Sequence, residues 1–150
     1  MPAPPEQQPS GAGAGAAADG APREIFQYAI LRAVPSLPRG EALNVGVVLH
    51  SRRHRFLAAR THVDRERLAA LDPGLDLEAL ERHLAGVERI AAGDPSAGAV
   101  AQLDRSDRFG WLTAPSSALV QPSPVHTGLC DDPAATLDRL YAELVAPPAR

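Results

Sequence analysis

Three groupings of polar residues have the types and spacing to do chemistry. The first is the run Gln121-Pro-Ser-Pro-Val-His-Thr-Gly128. Two prolines stiffen it and Gly128 permits an unusual backbone angle, so Gln121, Ser123, His126 and Thr127 read as donors and acceptors on a rigid loop suited to ligand contact. With a free pKa near neutrality, His126 is the side chain best fitted to act as a general acid or base. The bland alternative is a turn whose His and Thr satisfy buried backbone groups. The second grouping is Arg32, inside an otherwise apolar stretch, with Glu41 and Asn44 flanking the start of the next one. Paired antiparallel, the two stretches would bring a guanidinium, a carboxylate and an amide together, enough to hold a phosphate or another polar ligand. Because buried charges are rarely left unpaired, an Arg32–Glu41 pair that braces the sheet is the favoured expectation. The third is Arg52, Arg53 and Arg55. Residues 52–67 hold six arginines against Asp64 and Glu66, a local charge of +4. Residues 72–107 hold eight acids against three arginines, a local charge of −5. Such asymmetry steers an acidic partner or nucleic acid toward the arginines. An acidic total and few aromatics speak against nucleic acid, and a solvated hairpin tip is the plain reading.

Weaker signals do not add a site. His50, His54 and His62 lack the companion ligands of a metal centre, so no metal or other cofactor is expected. Cys130 precedes Asp131 and Asp132, whose charges oppose thiolate formation. Trp111 beside Phe109 reads as core. Neither a G-x-x-x-x-G-K-[ST] loop nor a G-x-S-x-G elbow occurs, and Gly11, Gly13 and Gly15 have no strand before them.

The elements that must position these residues are marked by periodicity and punctuation. Ile25 to Val34 is a β-rich run closed by Pro35 and Pro38. Leu43 to Leu49 is almost continuously apolar, with Gly46 where another backbone can pass closely. Phe56 to Arg60 follows after a short polar break, which predicts an antiparallel hairpin. Asp64 caps a short helix with Leu68 and Leu71; Asp76 caps a longer one carrying Leu77, Leu80, Leu84, Val87 and Ala91 on one face, with Gly93 as its stop. Asp104 or Ser106 opens a third helix, Ser117 to Gln121 suggests a fourth strand, and Asp132 with Pro133 launches a closing helix. Three strands, then helices, one strand and a helix predict an α+β fold: a small antiparallel sheet with helices packed on one face.

Composition sets the outer limits. The 150 residues carry a formal charge of −3, and all 15 basic residues are arginine. A single cysteine excludes an internal disulfide, and no apolar run approaches the ~20 residues of a membrane span, so a cytoplasmic protein is expected. None of the residues before Ile25 is Leu, Ile, Val, Phe, Trp or Tyr. Residues 1–22 therefore read as a disordered Ala/Gly/Pro-rich leader, 23–146 as one domain and 147–150 as a short tail.

Several segments in order, Tyr28-Ala-Ile-Leu-Arg-Ala-Val34, Glu41-x-x-Asn44-Val-Gly-Val-Val-Leu49, Leu71-Asp-Pro73, Trp111-Leu-Thr-Ala-Pro-Ser116 and Gln121 to Gly128, resemble the bacterial family catalogued as domain of unknown function 3037. The resemblance spans about residues 25–145. It implies no catalytic residue, and it implies a partner, since members are often encoded beside a kinase-fold protein. The expectation is a small adaptor that binds another protein through the charged hairpin or the 121–128 segment. Its rivals are an enzyme or ligand-binding domain using Arg32, Glu41 and His126 on a phosphate-bearing or polar substrate, and a nucleic-acid module built on Arg52 to Arg55.

Overall fold

The computed structural model of the chain describes residues 22–116 and 118–148. Residues 1–21 of the expected leader and the last two residues of the expected tail lie outside that range. In chain order the elements are β1 (Glu24–Ala33), β2 (Leu43–Ser51), β3 (Phe56–Thr61), α1 (Arg65–Leu71), α2 (Leu77–Ala92), α3 (Arg105–Leu112), β4 (Val120–Pro122), β5 (His126–Cys130) and α4 (Pro133–Leu144). Short 3-10 turns at Pro95–Ala97 and Val100–Gln102 join α2 to α3.

Each helix starts where an aspartate stops the strand-like backbone. Asp64, Asp76, Asp104 and Asp132 all hold extended dihedrals and accept from the amide three residues on, supplying a partner to an otherwise orphaned N–H. At the far end of α2, Gly93 takes the left-handed conformation (φ 76°) that a side chain would disfavour.

All strand pairs are antiparallel, in the order β3-β2-β1-β4, and β5 also pairs with β1. Ten residues long, β1 carries β2 along one side and two short strands end to end along the other. β5 lies against Glu24–Tyr28 and β4 against Leu31–Ala33. Between them the register slips: three steps on β1, from Leu31 to Tyr28, face four on the partner, from Pro122 to His126. Ser123 repairs the break, its amide donating to the Ile30 carbonyl at 2.7 Å and its hydroxyl accepting from the Ile30 amide at 2.9 Å.

The segment from Gln121 to Gly128 is thus an interrupted edge strand, not a loop. Prolines are admitted there because an edge strand need not donate on its outer side. Gly128 does not have positive φ; it is needed for space, since a Cβ at that position would stand 2.6 Å from Cζ of Phe26.

The helices do not share one face of the sheet, as the sequence suggested; they divide between two. Leu31, Ala33, Leu43, Val45, Val48 and Leu57 pack with Leu68 of α1, with Leu80, Leu84, Val87 and Ala91 of α2, and with Phe109 and Leu112 of α3. Phe26, Val47 and Leu49 pack on the opposite side with Cys130 and with Leu137, Leu140 and Val145 at α4. The switch within β2 follows from a bulge: Leu31 faces Gly46 and Arg32 faces Asn44, leaving Val45 as the extra residue. A strand covered on both sides must be apolar at successive positions, which explains the uninterrupted run from Val45 to Leu49.

Cross-links fasten α4 and α2 to the sheet. Asn44 donates from Nδ2 to the Leu144 carbonyl at 3.0 Å, satisfying an end of α4. Arg60 pairs with Asp138 at 2.6 Å and lies over the Tyr141 ring, 4.1 Å from its centroid. Glu88 of α2 accepts from both the amide and the hydroxyl of Thr61. No helix among the described residues is long and apolar enough to cross a membrane.

Candidate functional site

Two regions gather the residues singled out by type and spacing. The first is the sheet around β1 and its edge strands. Arg32 is the cross-strand partner of Asn44 on β2 and of Gln121 on β4, so the three form one row. Glu41 is not part of it. It pairs instead with Arg39, two residues away, at the exposed turn before β2. A local partner costs the chain no long-range ordering, and the expected Arg32–Glu41 brace does not form. Asn44 is spent on the Leu144 carbonyl and Gln121 donates to the Ala118 carbonyl at 3.0 Å. The Arg32 Nε is buried without a hydrogen-bond partner.

His126 faces Tyr28 across the β1–β5 pair, ring centroids 5.1 Å apart, and is exposed. Tyr28 and Arg32 are four residues apart on one strand, about 13 Å at strand rise, so His126 and the guanidinium row do not converge. Thr127 pairs with Gln27 and its side chain is exposed. Ser123 is buried and fully engaged, donating to the Pro124 carbonyl as well as accepting from Ile30. Most of the polar groups of this region therefore hold the fold together.

The second region lies on the other side of β1, at the corner between the β2–β3 turn and α3. The turn closes with the Arg55 amide donating to the Arg52 carbonyl at 3.1 Å, and Arg55 itself sits in the left-handed region at φ 51°. Below it, α3 turns Phe109 inward beneath His50; the two rings stack with centroids 5.1 Å apart. Two clefts open on this corner. One, of about 580 Å³, is lined by Ile25, Gln27, Phe109, Thr113, Val125 and the arginines Arg52 and Arg53. The other, of about 210 Å³, is lined by His50, Arg52, Arg55, Asp104, Arg105 and Ser106. His50, Arg52 and Ser106 border both, so the clefts adjoin.

The electrostatics of the corner are one-sided. Burial lowers the His50 pKa below its ordinary 6.5, and Arg105, Arg108 and Arg52 push it the same way against Asp104. Arg108 spends its guanidinium on the Leu103 and Ala91 carbonyls. Among the described residues, Arg52, Arg53, Arg55 and Arg105 form no ion pair with a carboxylate, whereas Arg39, Arg60, Arg65, Arg89 and Arg139 do. Apolar side chains stand exposed beside these charges. Ile25 and Leu129 are cross-strand partners and each is 58% exposed, with Val125 at 40%.

Sequence reasoning found the hairpin arginines and missed Arg105, Ser106 and the apolar rim. Arg105 directly follows the cap Asp104, so its place at the open end of a helix was readable. That this end meets the hairpin is a tertiary fact with no local sign. Trp111 also departs from expectation: Phe109 is core, but Trp111 is 55% exposed on the other flank of α3. There it lines a cleft of about 510 Å³ with Leu31, Val87, Ile90 and Pro122.

The histidines lie apart. His54 sits within hydrogen-bond distance of the Cys130 carbonyl, at 3.2 Å, while His50 stacks on Phe109. No group of three His, Cys, Asp or Glu among the described residues is placed to hold a metal. Burial, followed by the charges of Asp131 and Asp132, pushes the Cys130 thiol pKa up, against reactivity.

A family model described as "Protein of unknown function (DUF3037)" matches residues 28–145, from the middle of β1 to the residue after α4. The chain belongs to the DUF3037 family. No curated protein and no solved structure matches it. The DUF3037 match takes in β2, β3, all four helices and both edge strands, and with them the hairpin arginines and α3. The description of the DUF3037 family carries no activity.

Proposed function

We propose that this protein is a non-enzymatic adaptor that docks an acidic segment of a partner protein on the corner between the β2–β3 turn and α3. The observation that carries the reading is the company the arginines keep. Ile25 and Val125 stand exposed in a concave cleft that Arg52 and Arg53 also line, and Leu129, the cross-strand partner of Ile25, is exposed next to it. Apolar anchors beside a like-charged rim are the anatomy of a protein-binding patch, in which the apolar centre supplies affinity and the charges supply orientation and encounter rate. An arginine without a carboxylate of its own is free to take one from a partner, in a geometry suited to two parallel hydrogen bonds.

The enzymatic alternative draws less support. It needs Arg32, Glu41 and His126 in one concave place, and these are spread over a turn, a strand and an edge. A nucleic-acid role would rest on the same arginines, but the chain offers them beside exposed aliphatic side chains rather than stacking aromatics.

Capture of the partner from native lysate tests the reading, with the kinase-fold protein implied by family resemblance as the first to examine. Wild type and His126→Ala, which lies outside the corner, are expected to retain the same stoichiometric partner. Ile25→Asp with Leu129→Asp, and separately Arg52→Glu with Arg53→Glu, are expected to lose it. A partner held equally well by all four chains, or a wild type that stays a solitary monomer, overturns the proposal.

A further inference from the structure

We infer that the smaller cleft at this corner, lined by Arg52, Arg55, Arg105 and Ser106, is a phosphate-monoester site, and that the docking segment of the partner carries a phosphorylated side chain. Three guanidiniums against the single carboxylate of Asp104 leave two positive charges in a space of about 210 Å³. A phosphate monoester at neutral pH carries nearly two negative charges and three strong acceptor oxygens. A carboxylate carries one charge and would leave the cleft under-neutralised. Asp104 is already committed as the cap of α3, accepting from the Asp107 amide at 2.9 Å, so it competes little for the guanidiniums. The first amides of α3 belong to Arg105 and Ser106, and early helical N–H groups lack intrahelical acceptors.

The backbone supplies an independent sign. Arg55 occupies the left-handed region, φ 51°, where the turn closes onto β3, a conformation that glycine adopts without strain. An arginine held there presents a charge at the cost of local strain, and strain of this kind gathers at functional positions. The adjacency of the two clefts then chooses the carrier of the phosphate. His50, Arg52 and Ser106 border both spaces, so a phosphate seated in the smaller lies next to the larger, walled by Ile25, Phe109, Thr113 and Val125. Free phosphate leaves that second space unused; a phosphoserine followed by an apolar residue fills both.

The identity of the carrier rests on the adaptor reading, while the phosphate site itself does not. The test uses the full chain and four probes: a synthetic peptide with one phosphoserine beside leucine, its unphosphorylated twin, inorganic phosphate, and a single-stranded oligonucleotide. The phosphopeptide is expected to bind at least tenfold more tightly than its twin by calorimetry. Inorganic phosphate is expected to bind more weakly, to compete with it, and to shift the amide resonance of Ser106 and the imidazole resonances of His50. Arg105→Gln is expected to abolish the preference for the phosphorylated peptide. Arg55→Gly is expected to weaken it while raising the melting temperature, a pairing that a purely structural arginine would not produce.

Equal binding of the two peptides, or a preference that survives both substitutions, overturns the inference. Inorganic phosphate binding as tightly as the phosphopeptide overturns the assignment of a phosphorylated chain. Tighter binding of a single-stranded oligonucleotide overturns it in favour of nucleic acid. If the two peptides bind alike yet Ile25→Asp with Leu129→Asp still loses the partner, the inference falls and the adaptor stands. Should the phosphopeptide bind through Arg105 while partner capture ignores the corner, the adaptor falls and the phosphate site stands.

Discussion

The edge segment from Gln121 to Thr127 and the corner from Arg52 to Arg55 are both short, polar and placed beside β1, yet they use their polar groups oppositely. On the edge, Ser123 serves Ile30 and the Gln121 amide serves Ala118. At the corner, Arg52, Arg53 and Arg55 of the turn and Arg105 of α3 form no ion pair with a carboxylate among the described residues. The difference teaches where to look for function on a small α+β domain. A polar group inside a ladder is recruited by the backbone, because an unpaired buried amide costs about 1–3 kcal/mol. A polar group at a turn tip has no such creditor and stays available.

Three measurements break or sharpen this contrast. The largest effect is expected from Ser123→Ala, which leaves the Ile30 amide without its hydroxyl acceptor and removes the bridge to Pro124. Chemical denaturation is expected to show a loss of about 1–2 kcal/mol, against less than about 0.5 kcal/mol for the exposed neighbour Thr127→Ala. Equal losses would mean that the edge does not distinguish engaged from outward groups.

A smaller effect follows from His50. Its folded pKa lies below the ordinary 6.5, through burial first and then Arg105, Arg108 and Arg52. A depressed folded pKa means that the unfolded chain binds the proton more readily, so stability is whole above pH 6.5 and declines as the pH falls toward the folded value. His50→Gln is expected to flatten the denaturation midpoint between pH 7 and pH 5 relative to wild type. An unchanged slope would show that neither burial nor the corner's positive field holds the imidazole pKa down.

The smallest change is expected from Arg52→Gln with Arg53→Gln, whose folding free energy stays within about 0.5 kcal/mol of wild type. A substantial loss would make these arginines structural and erase the difference between the two regions.

Legibility in the sequence followed the range of the interaction. The caps Asp64, Asp76, Asp104 and Asp132 act over three residues; Asp64, Asp76 and Asp132 open helices where their spacing implied, and of the two openers offered for α3 it is Asp104, not Ser106. The β2–β3 hairpin is equally local. The distribution of helices over two faces is not, because it depends on the bulge at Val45 and on α4 returning to Asn44 across the chain. Its one advance sign was the unbroken apolar run of β2. The role of Gly128 was hidden for the same reason, since only the pairing of β5 with β1 brings the Phe26 ring over it. Glu41 shows the converse: a long-range partner was expected where Arg39 was at hand. At the corner, the hairpin arginines were visible as a charge run, and Arg105 became relevant only when α3 docked under His50.

The slip at Ser123 also limits how this molecule can meet others. A long, straight sheet margin invites foreign strands to add themselves, by the same hydrogen bonding that drives fibril growth. Here that margin is cut into lengths of three and five residues, offset by one, with Pro122 and Pro124 lacking the N–H that a newcomer would need. Polymerisation along this side is thereby discouraged, and recognition falls to side chains instead of backbone.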